Sequence, residues 1–468
     1  MPTDCSTPQL VFEGFEGRQV VGTFDGGAVT SNAGAVLLRE ADRVIGLTAK
    51  ASAAFRDGRD RDLVVHAMET LVAQRVHGIA LDYEDLNDHD TLRHDPVLAL
   101  LSDTAEPKRP DVATLAGKST LNRLETAPET GHARYHKIGV DTAAMEQVFL
   151  DVYVAAHKTA PKRIVLDLDA TDDPLHGNQE GRFFHGYYRS YCYLPLYIFA
   201  GRHLLVAKLR PANIDAAAGS VEEVARIVAH LRKAWPDVEI WLRADSGFTR
   251  DDMMAWCEAN RVEFVFGMAR NKRLEPMIAD ELAQAKAQFE AQDREDRQAP
   301  VRRFKELRYR TQKSWSCERR VVAKAEHLAK GANPRFIVTS LSLEKFGGQE
   351  LYEKIYCARG EMENRIKECQ LDLYADRTSA ATLHANQLRL WFASLAYTLM
   401  EAVRRLALAG TALANATAGS IRLKLLKIGA VVTRSVRRIK IAFATACPMQ
   451  DVFALAHERL RALPHASG

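Results

Sequence analysis

Residues 164–173 read IVLDLDATDD, and this stretch decides how the chain is interpreted. Its first part is β-branched and alternates apolar with polar residues, which is typical of a β-strand. Because neighbouring side chains of a strand point to opposite faces, Leu166 and Leu168 share one face. The other face carries three polar residues, namely Asp167, Asp169 and Thr171. Carboxylates on such a strand are expected to have a binding partner. The alternative is that an aspartate at the strand end caps the following turn.

The segments that follow alternate between strand and helix patterns. They occupy residues 191–200, 203–211, 220–236, 239–248, 251–261 and 263–269. The first helix-like run has Ser220 as a capping residue and Pro236 as a stop signal. The resulting order, β-β-β-α-β-α-β, is that of the ribonuclease-H-like α/β fold. We therefore predict an α/β fold class with a ribonuclease-H-like core.

The regions on either side of this core have other patterns. Residues 1–155 repeat apolar residues at helical spacing, which predicts a mainly helical N-terminal domain that binds DNA or supports the core. Residues 160–270 hold the first part of the core, and residues 271–349 read as a β-rich insertion. Residues 350–468 are expected to supply the rest of the core and basic C-terminal helices. These last helices are expected within residues 420–445 and 449–463.

The composition is that of an ordinary globular protein, with 468 residues, 47% of them apolar, and a formal charge of +4. It argues against a disordered, collagen-like or coiled-coil chain. The apolar run at residues 390–400 is too short for a bilayer, so no membrane association is expected. No basic stretch followed by an apolar one stands at the start, so no secretory leader is expected. The seven cysteines lack a C-x-x-C pair, which favours a reducing cytoplasm over disulfides or a thiolate zinc site.

The small net charge hides two basic segments. Residues 401–468 contain eleven Lys/Arg against three Asp/Glu, and residues 301–326 contain nine against three. Local positive charge of this kind is typical of surfaces that bind the phosphates of nucleic acids. Solvated faces of helices and strands are the alternative interpretation.

Two further acids stand in positions suited to a metal site. Asp245 follows an apolar strand and precedes a glycine turn, and open α/β sheets bind ligands at such strand ends. Glu363 lies on a predicted helix whose polar face also carries Tyr356, Arg359, Lys367 and Gln370. Phosphodiester chemistry with Mg²⁺ needs carboxylates of this kind on rigid elements. A plain Asp-Ser-Gly turn and a solvated helix face are the alternatives.

Taken together, these segments resemble the DDE transposases of bacterial insertion sequences. The stretch YCARGEMENRIKECQ, which begins at Tyr356, resembles the Tyr-x2-Arg-x3-Glu-x6-Lys signature of a hairpin-forming subgroup that includes the insertion sequence 1380-like group. Gln370 stands where the signature has its last Lys, and Lys367 is the candidate substitute one turn earlier. The D-x-T at Asp169 and RADSGF around Asp245 also match. So do LLREAD, DLNDHDTLRHDP, STLNRLE and HGNQEGRFFHGYYRSYCYLPL, and the resemblance extends over most of the chain.

The resemblance implies a metal-dependent mechanism. Asp169, Asp245 and Glu363 would be the catalytic acids and would hold two Mg²⁺ ions, with Mn²⁺ as an alternative. Water would nick an element end, and the freed 3′-hydroxyl would attack the opposite strand to form a hairpin. The hairpin would be reopened, and the 3′-hydroxyl would then attack target DNA.

The resemblance also implies partners and DNA contacts. Arg359 and Lys367 would neutralise phosphates, and Tyr356 would contact the backbone beside a flipped base. The expected partners are double-stranded terminal inverted repeats and target DNA, bound by a homodimer. The expected location is the bacterial cytoplasm, in association with the nucleoid when the protein is bound to DNA.

The basic insertion contains an aromatic residue, Trp315, near Arg319 and Arg320. An aromatic in a basic strand can stack on an unpaired base while its neighbours hold phosphates, so we expect these residues to bind DNA. Core packing is the alternative for Trp315. Two other functions stay open for the whole chain: a catalytically inert DNA-binding regulator, and a ribonuclease-H-like nuclease without strand transfer.

Three weaker patterns favour structural roles. AGKST at residues 116–120 lacks the first glycine and the preceding strand of a nucleotide-binding loop, and a helix start is expected there. A second pattern is a group of four residues whose spacing does not place them on one helix face. Capping or surface pairing is expected of them rather than a metal site: His89, Asp90, His94 and Asp95. His176 and His185 flank a glycine-rich turn, where a loop role is expected rather than DNA contact.

Overall fold

The computed structural model of the chain describes residues 9–104, 106, 112–129, 136–292 and 299–466. Cys5 and the first residues, on which the expectation about a leader rests, lie outside the described residues. The contacts divide the chain into two compact units. The first unit comprises residues 1–142, 372–374 and 395–468, and the second comprises residues 143–371 and 375–394. Each unit therefore combines segments that are distant in the sequence, and the four-part division expected from the sequence stays a prediction.

Short helices and strands form the N-terminal part of the first unit. They are β1 (Leu10–Phe15), β2 (Arg18–Gly22), β3 (Val29–Thr30), α1 (Val36–Ile45), α2 (Leu47–Ala53), β4 (Phe55–Asp57), α3 (Met68–Ala80), α4 (His89–Leu92), α5 (Pro96–Leu101), α6 (Lys118–Glu125) and β5 (Ile138–Val140). Almost all of α3 is buried, including Arg75, which pairs with Glu125 of α6. Asp95 caps α5 by accepting hydrogen bonds from the backbone N–H groups of Val97 and Leu98, both at 2.8 Å. That is the capping role expected for Asp95.

The second unit follows with a longer series of elements. They are α7 (Thr142–Ala155), β6 (Arg163–Ala170), β7 (Asp173–Pro174), β8 (Phe183–His185), β9 (Ser190–Tyr193), β10 (Leu196–Ala200), β11 (His203–Lys208), α8 (Ser220–Ala234), β12 (Glu239–Ala244), α9 (Asp251–Ala259), β13 (Glu263–Met268), α10 (Ala279–Glu290), β14 (Val301–Tyr309), β15 (Arg319–Leu328), β16 (Gly331–Ala332), β17 (Arg335–Thr339), α11 (Gly348–Glu350) and α12 (Gly360–Lys367). The long helix α13 (Leu383–Leu406) gives its first residues to this unit and the rest to the first unit.

A large mixed sheet organises the second unit. Its strand order is β11-β10-β6-β12-β13-β17-β15-β14, and β16 pairs with β15 at one end. The pairs β6–β12 and β12–β13 are parallel, and the other pairs along the order are antiparallel. The strands of residues 301–339 thus extend the same sheet beyond β13. The predicted α/β class is confirmed, and the ribonuclease-H-like assignment stays a prediction.

Residues 164–170 of the stretch IVLDLDATDD belong to β6, which lies between β10 and β12 in this sheet. Leu166 and Leu168 are fully buried in the larger of the apolar clusters beside the sheet. On the opposite face, Asp167 is only 4% exposed and lies beside Arg243 in the register of the parallel pair. Arg243 donates to both carboxylate oxygens, from Nε at 2.7 Å and from Nη2 at 2.8 Å. The partner of Asp167 is therefore a basic residue of the next strand.

The C-terminal part of the first unit differs from the expectation of two basic helices. Its elements after α13 are α14 (Ala418–Ile421), β18 (Ala430–Ser435), β19 (Arg438–Phe443) and α15 (Gln450–Arg461). Of the two helices expected at residues 420–445 and 449–463, only the second is present over most of its length. Residues 430–443 form an antiparallel hairpin that also pairs with β3, in the order β19-β18-β3. The sequence AVVTRSVRRIKIAF explains the difference, because its β-branched residues favour a strand over a helix.

Within the described residues, no helix has both the length and the apolar character needed to cross a membrane.

Gly34 tests the packing of the first unit. It lies just before α1, and a Cβ placed there would clash with the backbone carbonyl of Leu425. We expect Gly34→Ala to lower the free energy of unfolding by about 1–3 kcal/mol, because a backbone contact cannot yield as a flexible side chain can. The measurement is the urea midpoint of the full chain. The matched control is Gly429→Ala, where a Cβ meets nothing within 4 Å; equal midpoints for the two variants would contradict this close approach.

Candidate catalytic site

Asp169 lies at the carboxyl end of β6, in the strand that carries the structural Asp167 two residues earlier. Its Oδ1 accepts a hydrogen bond from the backbone N–H of Ala170 at 3.0 Å, and its Oδ2 accepts one from Nη1 of Arg359 at 3.3 Å. Burial raises the pKa of Asp169 to about 6, and the nearby carboxylates of Asp245 and Glu363 contribute to the rise against the effect of Arg359. The structure therefore concentrates negative charge around this carboxyl group.

Asp245 follows β12 and reaches the same edge of the sheet as Asp169. The two strands are parallel neighbours whose last paired residues are Leu168 and Ala244, so the next residue of each is an aspartate. Oδ1 of Asp245 accepts from the backbone N–H of Gly247 at 2.8 Å, which ends the strand and starts a 3₁₀ turn. An ordinary Asp-Ser-Gly turn contains the same hydrogen bond, so Asp245 serves both the turn and the candidate site.

Glu363 lies on a helical stretch that runs over residues 348–372. The stretch is not regular: a π-helical turn covers Leu351–Tyr356, a 3₁₀ turn covers Cys357–Arg359, and a second π-helical turn covers Glu368–Asp372. Glu363 Oε1 accepts from Nη2 of Arg359 at 2.9 Å, at a spacing of four residues. π-helical turns inside helices are frequent at functional sites, because they change which side chains share a face.

These three acids line one cavity of about 520 Å³. Its other polar and aromatic lining residues include Thr171, His185, Tyr187, Tyr188, Arg359, Lys367 and Gln370. All of them belong to the second unit. The structure thus brings together Asp169, Asp245, Glu363, Arg359 and Lys367, as the sequence analysis expected.

The donor chemistry of this cavity fits a hard divalent cation, since carboxylate oxygens are the ligands that Mg²⁺ prefers. In the part of the chain that the structure describes, no three Asp, Glu, His or Cys side chains are close enough together to hold a metal ion. Arg359 lies between two of the acids and donates to both Asp169 and Glu363. The guanidinium therefore already occupies one oxygen of each of these two acids.

Tyr356 stands beside the acids rather than in the cavity lining. A Cβ at Gly267 would clash with the Tyr356 hydroxyl and would approach the backbone of Ser246 and Asp245 at 3.1 and 3.3 Å. Burial raises the pKa of Tyr356, and the charge of Asp245 adds to the rise. The glycine on β13 therefore leaves room for a tyrosine close to the second aspartate.

Lys367 and Gln370 occupy the end of the same helical stretch. Lys367 is exposed and lines the cavity, whereas Gln370 donates from Nε2 to the backbone carbonyl of Asp172 at 3.2 Å. The residue at the position of the signature lysine is thus tied to the loop after β6. The exposed cation nearest to it along the helix is Lys367.

Trp315 lies away from this cavity and inside the core. It is 5% exposed, belongs to the apolar cluster that contains Leu166 and Leu168, and meets the ring of Tyr309 edge to face at 5.7 Å. Its backbone N–H donates to Thr311 Oγ1 at 2.8 Å. These contacts agree with the alternative interpretation, in which Trp315 packs in the core.

Arg319 and Arg320 are buried with their charges paired inside the fold. Arg319 donates to Asp251 at 2.7 Å and to Glu258 at 2.6 and 2.8 Å. Arg320 donates to both oxygens of Glu306, from Nε at 2.9 Å and from Nη2 at 2.8 Å. The structure does not bring these two arginines to the cavity.

Two contributors to the site were missed by the sequence analysis. Tyr187 and Tyr188 follow the short strand β8 and line the cavity, and Tyr188 donates to the carbonyl of Ala170 at 3.3 Å. His185, expected to serve a loop role, lines the same cavity. The signal in the sequence is the Tyr-Tyr pair next to Gly186, in the glycine-containing segment between the strands that carry Asp169 and Tyr197.

Comparison with known proteins matches almost the whole chain to a protein family. The family model described as transposase DDE domain group 1 matches residues 12–465. Among solved structures, the cryo-EM structure of the piggyBac transposase synaptic complex with hairpin DNA is similar, with 11% sequence identity and a TM-score of 0.39 over 84% of this chain and 79% of that chain. No curated protein matches the chain significantly.

Asp167 and Asp169 are expected to differ in their effect on stability. Asp167→Asn breaks a buried bidentate ion pair and leaves Arg243 without its counter-ion, so we expect a loss of about 3–5 kcal/mol in the free energy of unfolding. Asp169→Asn relieves repulsion among three acids, so its stability is expected at or above that of the wild type. The urea midpoints of both variants check this, and the reverse order would contradict the assignment of Asp167 as the structural residue.

Trp315 gives a second stability test. Trp315→Ala removes a buried ring from the core and is expected to lower the free energy of unfolding by about 3–5 kcal/mol. Trp315→Leu keeps much of the apolar volume, so its loss is expected to be clearly smaller. Urea denaturation of both variants measures the difference. A wild-type midpoint for the alanine variant would mean that the ring does not pack in the core.

Proposed function

The chain belongs to the transposase DDE domain group 1 family, and we propose that it is an active transposase whose chemistry takes place in the cavity lined by Asp169, Asp245 and Glu363. The observation that carries the proposal is the placement of these acids. Two lie at the ends of adjacent parallel strands and the third lies on a helix, and all three line one cavity. Rigid elements of this kind can hold a phosphodiester in line for displacement, which supplies much of the catalysis of such reactions.

The proposed cofactor is a pair of Mg²⁺ ions, with Mn²⁺ as an alternative. Asp169, Asp245 and Glu363 are the residues that would hold them. Such ions would stabilise the attacking and leaving oxygens of an in-line displacement. The side chain of Asp169 is only 17% exposed, and a carboxylate attracts a cation more strongly where less water surrounds it.

Arg359 would exchange one set of partners for another during the reaction. In the structure it pairs with Asp169 and Glu363. If these acids held cations, the guanidinium would be free to bind the oxygens of a DNA phosphate in a bidentate manner. Lys367, exposed in the same cavity, would contact a neighbouring phosphate, and Tyr356 would contact the backbone beside the cleaved bond.

We propose the reaction course of the hairpin-forming subgroup, which includes the insertion sequence 1380-like group. Water cuts one strand at an element end and releases a 3′-hydroxyl, and that hydroxyl attacks the opposite strand to form a hairpin. Water reopens the hairpin, and the 3′-hydroxyl attacks the target phosphodiester. The DNA substrates are terminal inverted repeats and target DNA in a bacterial cell, and joining two ends calls for a dimer on DNA.

The inert regulator is kept as a second candidate because of Gln370. This residue replaces the signature lysine, and its side chain is engaged with the carbonyl of Asp172. An inert relative would bind DNA without cutting it. Gln370→Lys is the informative variant, because it restores the signature and would raise a low activity if the lost charge were the cause.

Strand transfer tests the three acids. Purified protein is incubated with an element-end duplex, a target plasmid and Mg²⁺. We expect Asp169→Asn, Asp245→Asn and Glu363→Gln each to lower strand transfer by roughly 10²-fold or more, the scale seen when one charge-stabilising group is removed. Glu361→Gln is the matched control, since this exposed glutamate lies two residues from Glu363 and outside the cavity lining.

The products of the same assay separate the candidates. Strand-transfer products support the proposed transposase, cleavage without joining supports a nuclease, and a bound but intact duplex supports the inert regulator. Unchanged strand transfer in any of the three acid variants would show that the site is placed wrongly.

A further inference from the structure

The basic charge of the C-terminal region falls into two classes. Residues 402–450 contain nine Lys/Arg and no Asp or Glu. Some of these cations are structural: Arg404 pairs with Glu401, Arg422 pairs with Asp82, and Lys427 lies 4.0 Å from the ring centre of Tyr83. Their charge is already used inside the first unit.

The other class lies on the hairpin of β18 and β19, residues 430–443, which we call the basic wing. Its exposed cations include Arg437, Arg438 and Lys440. Among the described residues, none of these three takes part in an ion pair, and the sequence places no acid between residues 402 and 450 to neutralise them. The basic wing therefore presents uncompensated positive charge to solvent.

The two faces of the basic wing differ in chemistry. Residues paired across the strands share a face, so Val432 lies with Ile441 and Ala430 with Phe443 on the apolar side. Val432 and Ala430 are buried. The opposite face carries the polar pairs Thr433–Lys440 and Ser435–Arg438. One face is thus anchored and the other is exposed and basic.

The anchoring side faces a cleft of about 670 Å³ within the first unit. Apolar side chains from the wing and from α15 line it, including Ile439, Ile441, Phe443 and Phe453. On its other edge β18 pairs with β3, at Ala430–Thr30 and Val431–Val29. Packing and pairing hold the base of the wing, while its tip is exposed at Val436 and Arg437.

We propose that the basic wing binds duplex DNA through its phosphates, as a contact separate from the catalytic residues. The inference rests on the proposed function, because duplex DNA is the substrate there. A two-stranded ribbon is narrow enough to lie in the major groove of B-DNA. Cations at its tip and along its outer face can then reach the phosphates and release their counter-ions.

Salt-dependent DNA binding tests the basic wing. The full chain is titrated onto a fluorescent 30-bp duplex of arbitrary sequence in EDTA, at several NaCl concentrations, so that no catalytic step is needed. The triple variant Arg437→Ala/Arg438→Ala/Lys440→Ala is expected to lose at least about tenfold in affinity at moderate salt. The slope of log K against log[salt] is expected to fall by about 2 to 3, close to one per lost phosphate contact.

Two controls make the outcome decisive. Lys330→Ala/Lys345→Ala/Lys354→Ala removes three exposed cations of the second unit and is expected to keep the wild-type slope. Arg437→Lys/Arg438→Lys keeps the charge and is expected to retain most of the binding. An unchanged slope in the wing variant, an equal loss in the control variant, or no duplex binding by the wild type overturns the proposal. Because the assay requires no cleavage, a chain that binds through its wing but fails in strand transfer would refute the proposed function alone.

Discussion

The parallel pairing of β6 with β12 is the constraint on which the candidate site depends. A one-residue slip in this register would turn Asp169 or Asp245 to the other face of the sheet and separate the two acids. The buried pair of Asp167 and Arg243 opposes such a slip, because each residue would leave the other as an isolated charge in the sheet. Asp167, which does not line the candidate cavity, thus helps to fix the positions of the two aspartates that do.

Arg359 offsets part of the negative charge of the acids that line the cavity. Three acids around a partly buried space repel one another, and the raised pKa of Asp169 reflects both this repulsion and burial. Arg359 offsets part of that cost by donating to two of the acids. An arginine suits this position because its planar group serves two carboxylates at once and matches a phosphate equally well. The guanidinium that offsets the repulsion among these acids therefore also has a shape that can bind a phosphate.

Much of the second unit could be predicted from the sequence, because its signals are local. Alternation over IVLDLDAT marks β6, and a single register then brings Asp169 and Asp245 together. The sequence does not decide the role of Trp315, because the residues around it are compatible both with a ring that packs in the core and with a ring that stacks on a base. Charge and amphipathic character predict a helix for the basic wing, whereas its β-branched residues favour the strands that it forms. The π-helical turns around Glu363 leave no clear pattern in single residues, so the irregularity of that stretch was not expected.

The division of the chain also constrains the order in which the protein can fold. The first unit contains β3, which pairs with β18 about 400 residues later in the sequence. During synthesis β3 lacks this partner until β18 has left the ribosome, whereas residues 143–371 and 375–394 of the second unit are available earlier. Closing so long a loop is slow compared with forming local contacts. The edge of β3 therefore stays unpaired until β18 has been made, and a truncation that removes β18 leaves β3 without this partner.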